Sequence, residues 1–230
     1  MCFVGLEKAS LVDYDGYVSA VLFTQQCNLR CLFCQNTKLI FGKNDIIPWE
    51  EIKSFLTKNK NNIDAVVITG GEPLIHKNII KKLEEIKKLG FLVKLDTNGT
   101  NPVMLENILK NKLVDYVAID IKNDFDNYNY IVGAKQNNNE IVNNIKESIR
   151  CVKTNNIPFE FRTTIIKQFH NLSTLLKIAK TISPCPKYVL QRYQFQKDCL
   201  FYFQAIEKEE AEKLLKDIKK IIPNTFLRGY

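Results

Sequence analysis

Histidine, glycine and long apolar runs are all scarce in this chain. His76 and His170 are its only histidines in 230 residues. No window holds the roughly 18 uninterrupted apolar residues that a membrane span needs. The first residues, Met1-Cys2-Phe3-Val4-Gly5-Leu6-Glu7-Lys8, lack the basic-then-apolar order of a secretory leader. The expected setting is therefore cytoplasmic, with no membrane partner. Nine glycines and seven prolines are too few for a collagen-like or low-complexity chain. The glycine fingerprint of a dinucleotide fold is also missing, because the first strand-like run is followed by Thr24-Gln25-Gln26-Cys27.

What is present reads as an ordinary globular protein. Hydrophobic residues make up 45% and charged residues 25%, which excludes disorder and coiled coil for the whole chain. At roughly 150 residues per domain, the length fits one domain over residues 1–230 with a substantial core. Lysine and arginine exceed the acids by 33 − 25 = 8. The excess is spread over Lys81-Lys82, Lys87-Lys88 and Lys213 to Lys220, where glutamates intervene, so it reads as solvated helix faces. No segment joins basic residues with interleaved aromatics, so nucleic acid is not an expected partner, although the charge favours an anionic one.

Apolar runs alternate with helical periodicity along the chain. Strands are expected at Tyr17–Phe23, Ala65–Thr69, Phe91–Asp96, Tyr116–Asp120, Phe159–Ile166 and Tyr188–Tyr193, with a further candidate at Thr225–Leu227. Helices are expected at Trp49–Asn59, Asn78–Leu89, Pro102–Asn111, Glu140–Thr154, Leu172–Ile182 and Glu207–Ile222. Strand then helix, repeated, predicts a parallel sheet with crossover helices. Runs such as Ala65-Val66-Val67-Ile68 suggest burial on both faces. The expected fold is an α/β partial (β/α)6 barrel of about six units, short of the eight of a full barrel. Asn123–Asn139, ending in Gln136-Asn137-Asn138-Asn139, reads as a mobile lid or, equally, as a floppy connector.

Function in such barrels gathers at the C-terminal ends of the strands. The first strand is followed by Cys27, Cys31 and Cys34 at C-x3-C-x2-C. A structural zinc site needs four ligands, and neither a fourth cysteine nor a histidine lies nearby. Three thiolates instead suit a 4Fe-4S cluster with one iron left open for a non-protein ligand, a chance grouping being the alternative. Cys2, Cys151, Cys185 and Cys199 show no paired spacing for a second cluster. After the second strand comes Gly70-Gly71-Glu72-Pro73, whose glycines allow a close backbone approach to a ligand and whose proline fixes the exit, though an ordinary turn has the same needs.

The next rim residues are Asp96-Thr97-Asn98-Gly99, of which Asn98 is the favoured polar contact, and then Asp120 with Lys122. Two residues apart on a strand, Asp120 and Lys122 point the same way, as a functional pair or a surface ion pair. Arg162 shares a strand face with Glu160 and Thr164. It is a carboxylate clamp if that face is the barrel interior and an exposed partner of Glu160 if not.

Cys27-Asn28-Leu29-Arg30-Cys31-Leu32-Phe33-Cys34, with its aromatic Phe33 before the third cysteine, resembles the cluster loop of the radical S-adenosylmethionine (SAM) superfamily. Thr69-Gly70-Gly71-Glu72-Pro73-Leu74 is similar to that superfamily's second motif. The resemblance implies a radical SAM barrel in which Cys27, Cys31 and Cys34 hold a 4Fe-4S cluster whose open iron chelates SAM. One electron from the cluster then yields a 5′-deoxyadenosyl radical. It also implies that Phe33, Gly70, Gly71, Glu72, Pro73, Asn98, Asp120, Lys122 and Arg162 surround SAM.

Asp120-Ile121-Lys122 resembles the Asp-x-Lys element of glycyl-radical-enzyme activating enzymes. Ser10-Leu11-Val12-Asp13-Tyr14-Asp15-Gly16 and Phe226-Leu227-Arg228-Gly229 look most like those that activate anaerobic ribonucleoside-triphosphate reductase. Asp15 stands where that group usually has proline, and Gln35 where histidine is common. The implied partners are the glycyl radical enzyme, here the anaerobic ribonucleotide reductase, and a low-potential electron donor such as flavodoxin or ferredoxin. Two alternatives stay open: the same cofactor chemistry on a nucleoside, tRNA or small metabolite, and a metal-stabilised RNA-binding module.

Overall fold

The computed structural model describes residues 2–41, 44–134, 139–197, 199 and 201–230. Eight strands form one sheet in sequence order. They are β1 (Phe3–Ser10), β2 (Ser19–Thr24), β3 (Ala65–Gly70), β4 (Leu92–Thr97), β5 (Tyr116–Asp120), β6 (Phe159–Ile165), β7 (Tyr188–Arg192) and β8 (Thr225–Arg228). From β2 to β8 every neighbouring pair is parallel. The helices are α1 (Thr37–Phe41), α2 (Trp49–Lys58), α3 (Ile79–Lys88), α4 (Pro102–Lys110), α5 (Tyr128–Ile131), α6 (Asn139–Thr154), α7 (Leu172–Ile182) and α8 (Lys208–Ile218). The sheet's edges are β1 and β8, so the barrel is partial and open. Among the described residues no helix is long and apolar enough to cross a membrane.

The expected partial barrel is present, with two additions: the candidate strand at the C-terminal end forms as β8, and β1 was not anticipated. β1 runs antiparallel to β2, with irregular register between Phe3 and Gly5 and between Glu7 and Ser10. It carries Glu7 and Lys8 on an exposed edge, so it lacks the continuous apolar run that marks the inner strands.

The crossover helices form for the reasons their spacing suggested. In α3, Ile79, Leu83 and Ile86 recur at i, i+4 and i+7 and are buried, while the lysines face out. Pro102 occupies the first turn of α4, where its missing N–H costs nothing, and the Asn101 side chain caps Met104 N at 3.1 Å. Asn171 caps α7 through Thr174 N at 3.0 Å. One continuous apolar core lies between sheet and helices.

Over its described part the long connection after β5 is packed against the barrel. Tyr128 and Ile131 of α5 are buried. Backbone carbonyls of Val132 and Ile131 accept from Arg30 N at 2.9 Å and Leu32 N at 3.0 Å, so this segment braces the cysteine loop. Gln136, Asn137 and Asn138 lie outside the described residues.

Candidate functional site

Six parallel strands deliver their C-terminal ends to one cavity of about 210 Å³. Cys27, Cys31 and Cys34 line it after β2, Gly70, Gly71 and Glu72 at the end of β3, and Asp96, Thr97 and Asn98 at the end of β4. Asp120 and Lys122 follow from β5, Thr164 from β6 and Gln191 from β7, with Phe33 on the wall. Pro73 and Arg162 do not line the cavity. Pro73 is buried at the start of a short 3-10 turn, and Arg162 works one layer below the rim.

The two glycines serve a neighbouring strand as well as the cavity. A Cβ on Gly70, at φ +114°, would stand 2.3 Å from Thr24 N, and one on Gly71 would stand 1.8 Å from Gln26 O. Gly71 N donates to Thr24 O and Glu72 N to Gln26 O, both at 2.8 Å. The motif thus fastens the backbone that leads into Cys27.

Glu72 is wholly buried, and protein donors fill its carboxylate. Oε1 accepts from Leu74 N at 3.0 Å and Thr97 Oγ1 at 2.6 Å, and Oε2 accepts from Asn98 N at 2.7 Å. Burial raises its carboxyl to about 7 despite those hydrogen bonds. Asn98 is similarly committed. Its amide Nδ2 donates to Asn28 Oδ1 at 3.0 Å and lies 3.8 Å from Cys27 Sγ, while Oδ1 accepts from Thr100 N and Oγ1. Both residues line the cavity, and both brace its walls.

Charge is organised below this layer. Lys122 Nζ lies 2.9 Å from Asp120 Oδ2, Arg162 Nε 2.8 Å from Asp120 Oδ1, and Arg162 Nη1 2.9 Å from Asp96 Oδ2. Arg162 therefore faces the barrel interior, and the carboxylates it clamps are the protein's own. Burial alone would raise Asp120; the Arg162 guanidinium and Lys122 ammonium hold it well below the usual carboxylate range. Burial likewise opposes the charge on Lys122, and Asp120 overcomes it and pushes Lys122 up.

Two residues of this layer were not picked out from the sequence. The first is His170: its Nδ1 accepts from Ile166 N at 3.0 Å, which leaves Nε2–H to donate to Lys122 O at 3.0 Å. Burial lowers it to about 4, so it is neutral. The second is Asp96, named in the sequence only as part of a turn. Its Oδ1 is buried with no hydrogen-bond partner.

Burial raises the Cys27 thiol to about 11 and Cys31 to about 12, and raises Cys34 as well. Ligation to a metal centre must release those protons. Among the described residues no three His, Cys, Asp or Glu side chains are grouped to hold a single metal ion. Three sulfurs, a cavity lining without histidine, and an orphaned carboxylate oxygen fit a cluster with an open iron and a polar ligand beside it.

Comparison with known proteins decides the family. The model of the radical SAM superfamily matches residues 21–166. This chain belongs to the radical SAM superfamily.

The "Putative glycyl-radical enzyme activating enzyme MJ1227" of Methanocaldococcus jannaschii is 38% identical over 229 residues, covering 97% of this chain and 94% of that protein. A pyruvate formate-lyase-activating enzyme of Clostridium pasteurianum is 28% identical over 239 residues, covering 94% and 96%. The fold matches a radical SAM methyltransferase structure from Sphaerobacter thermophilus at TM-score 0.74 and 13% identity, covering 94% of this chain and 67% of that one. The protein is thus a radical SAM enzyme, and the family implies a 4Fe-4S cluster and SAM.

Proposed function

We propose that this radical SAM enzyme installs a glycyl radical on a partner enzyme, the anaerobic ribonucleoside-triphosphate reductase. The carrying observation is the cavity that gathers Cys27, Cys31 and Cys34 with the Asp120–Lys122 pair at an open barrel rim. Similarity to two proteins named as activating enzymes, over nearly the full length of each, supports the activase reading. The reductase as target rests on the Ser10–Gly16 and Phe226–Gly229 segments. The two segments meet where Arg228 Nη2 lies 3.6 Å from Asp15 Oδ1, and Arg228 and Gly229 also line a cavity with Gln35, Asn36 and Gln191 beside the rim.

Cys27, Cys31 and Cys34 would hold the cluster, and Gly70, Gly71, Asp96, Asp120 and Lys122 would surround SAM beside it. When bound, cluster and SAM together supply a primary carbon radical that takes hydrogen from the target glycine Cα. Lys122, kept protonated by Asp120, offers an ammonium to an anionic group such as a carboxylate. Leu29 and Phe33 give the cavity a dry apolar wall, which limits quenching of a reactive species by water. A low-potential donor such as flavodoxin or ferredoxin would supply the electron.

Anaerobic incubation with SAM, reductant and the reductase tests the reading. The expected result is an electron paramagnetic resonance doublet on the reductase, lost when its target glycine is replaced and lost with Cys31→Ala. Zinc without labile sulfide in anaerobically purified protein would overturn the cofactor assignment. SAM cleavage with no radical on the reductase, and methylated, cyclised or otherwise altered nucleosides instead, would overturn the substrate assignment.

A further inference from the structure

Beneath the cavity, the barrel interior holds two diagonal ion pairs between β4 and β6. Lys94 and Asp96 sit two apart on β4, and Glu160 and Arg162 two apart on β6. Between them, Ala118 of β5 is in register with Asp96 on one side and Glu160 on the other. Across β5 the pairs run as parallel diagonals, each offset by two residues in the same direction: Lys94 Nζ is 3.5 Å from Glu160 Oε1, and Arg162 Nη1 is 2.9 Å from Asp96 Oδ2. All four charged residues are buried.

The pairs are unequally satisfied. Glu160 also faces Lys187 Nζ at 3.0 Å, Arg228 Nη1 at 3.6 Å and Tyr116 Oη at 3.4 Å. Lys94 donates to Asp13 O as well as to Glu160. Asp96 Oδ1 has no hydrogen bond, and the Lys94 ammonium stands 3.7 Å from it, just too far to donate. A buried carboxylate oxygen left without a donor is costly, and such an atom signals a partner arriving from elsewhere. Asp96 lines the cysteine cavity, whereas Lys94 and Glu160 do not.

We propose that Glu160 is a positioning residue for ligand binding: it draws Lys94 away from Asp96 and so keeps Asp96 Oδ1 free to accept a hydrogen bond from a donor group of SAM. The proposal rests on the cavity being the SAM site. Neutralising Glu160 would release Lys94 to Asp96 and fill the open oxygen from below. Removing Lys94 as well would open it again, and deleting both members of a buried pair is far milder than deleting one.

The test measures SAM dissociation constants by equilibrium dialysis on the cluster-reconstituted protein. Iron and sulfide content and thermal melts of each variant are measured in parallel. Glu160→Gln is expected to weaken SAM at least tenfold with cluster content unchanged, and Lys94→Met with Glu160→Gln to return within threefold of wild type. Glu160→Asp, which retains the charge, is expected to fall between. Wild-type affinity in Glu160→Gln, or a double variant weaker than Glu160→Gln alone, overturns the proposal, since a purely structural role predicts accumulating damage. Failure of the wild-type protein to bind SAM overturns the reading of the cavity itself.

Discussion

The Gln26 carbonyl oxygen fills the space where a Cβ on Gly71 would be, 1.8 Å from its ideal position. The obstacle is backbone, on the segment that runs into Cys27, so no rotamer change relieves it. Gly71→Ala is expected to destabilise the fold by about 3 kcal/mol, at the upper end of overpacking costs. It should also lower the iron retained after reconstitution. Urea unfolding with iron analysis reads both effects, and a variant that melts and loads iron like wild type would show that the turn yields freely.

Gly133 extends the same logic to the brace beneath the cysteine loop. It adopts φ +65°, and an added Cβ would lie 2.5 Å from Arg30 O. Gly133→Ala meets left-handed strain and a backbone clash at once. Separation of α5 from the loop should then cost cluster occupancy more than global stability. Limited proteolysis near Arg30, faster in the variant than in wild type, is the expected signature; equal cleavage rates and equal iron content would refute it.

Arg162 holds two carboxylates, Asp120 and Asp96, at 2.8 and 2.9 Å. Removing one partner from a buried pair leaves an uncompensated charge, so Arg162→Met is expected to cost about 3–5 kcal/mol at neutral pH. The pH dependence has a definite sign. Asp120 is depressed in the fold, so its contribution is fully present above the unfolded value near pH 4 and fades as pH falls. The variant, with Asp120 closer to normal, should therefore lose less on acidification from pH 7 to pH 3 than wild type does. Parallel acid limbs in denaturant titrations would contradict the ion-pair account.

Much of this site was legible along the chain because its parts follow strands. Ala65–Ile68 and Tyr116–Ile119 are continuous apolar runs, so their strands and the polar residues after them could be located directly. What was illegible depends on partners from distant segments. That Asn98 spends its amide nitrogen on Asn28, or that Asp96 is the residue with a free oxygen, is decided by a neighbour 70 residues away in one case and by a missing neighbour in the other. Arg162 could be assigned to a strand face, but which face is interior follows from the pairing of β5 with β6. β1 escaped notice because an edge strand with Glu7 and Lys8 lacks the periodicity of a buried one. His170 carried no local motif at all.

That histidine yields the last prediction. Its ring is buried behind Phe33, with ring centres 6.4 Å apart, and bridges Ile166 N to Lys122 O, which fixes the backbone of the lysine at the cavity. Both ring nitrogens are engaged in the neutral form, and a second proton on Nδ1 would face the Ile166 N–H. Burial depresses the group from 6.5 to about 4. The unfolded chain thus takes up a proton below pH 6.5 while the fold does not, and stability falls as pH drops through that window. Between pH 7 and pH 5 this one group should account for about 2 kcal/mol of lost stability. His170→Gln cannot titrate, so its stability curve should be flatter by about that amount, although lower at pH 7 for lack of the full bridge. Urea titrations at pH 7, 6 and 5 measure the difference in slope, and equal slopes would mean that the imidazole is protonated in the fold and that its bridge to Lys122 is made differently.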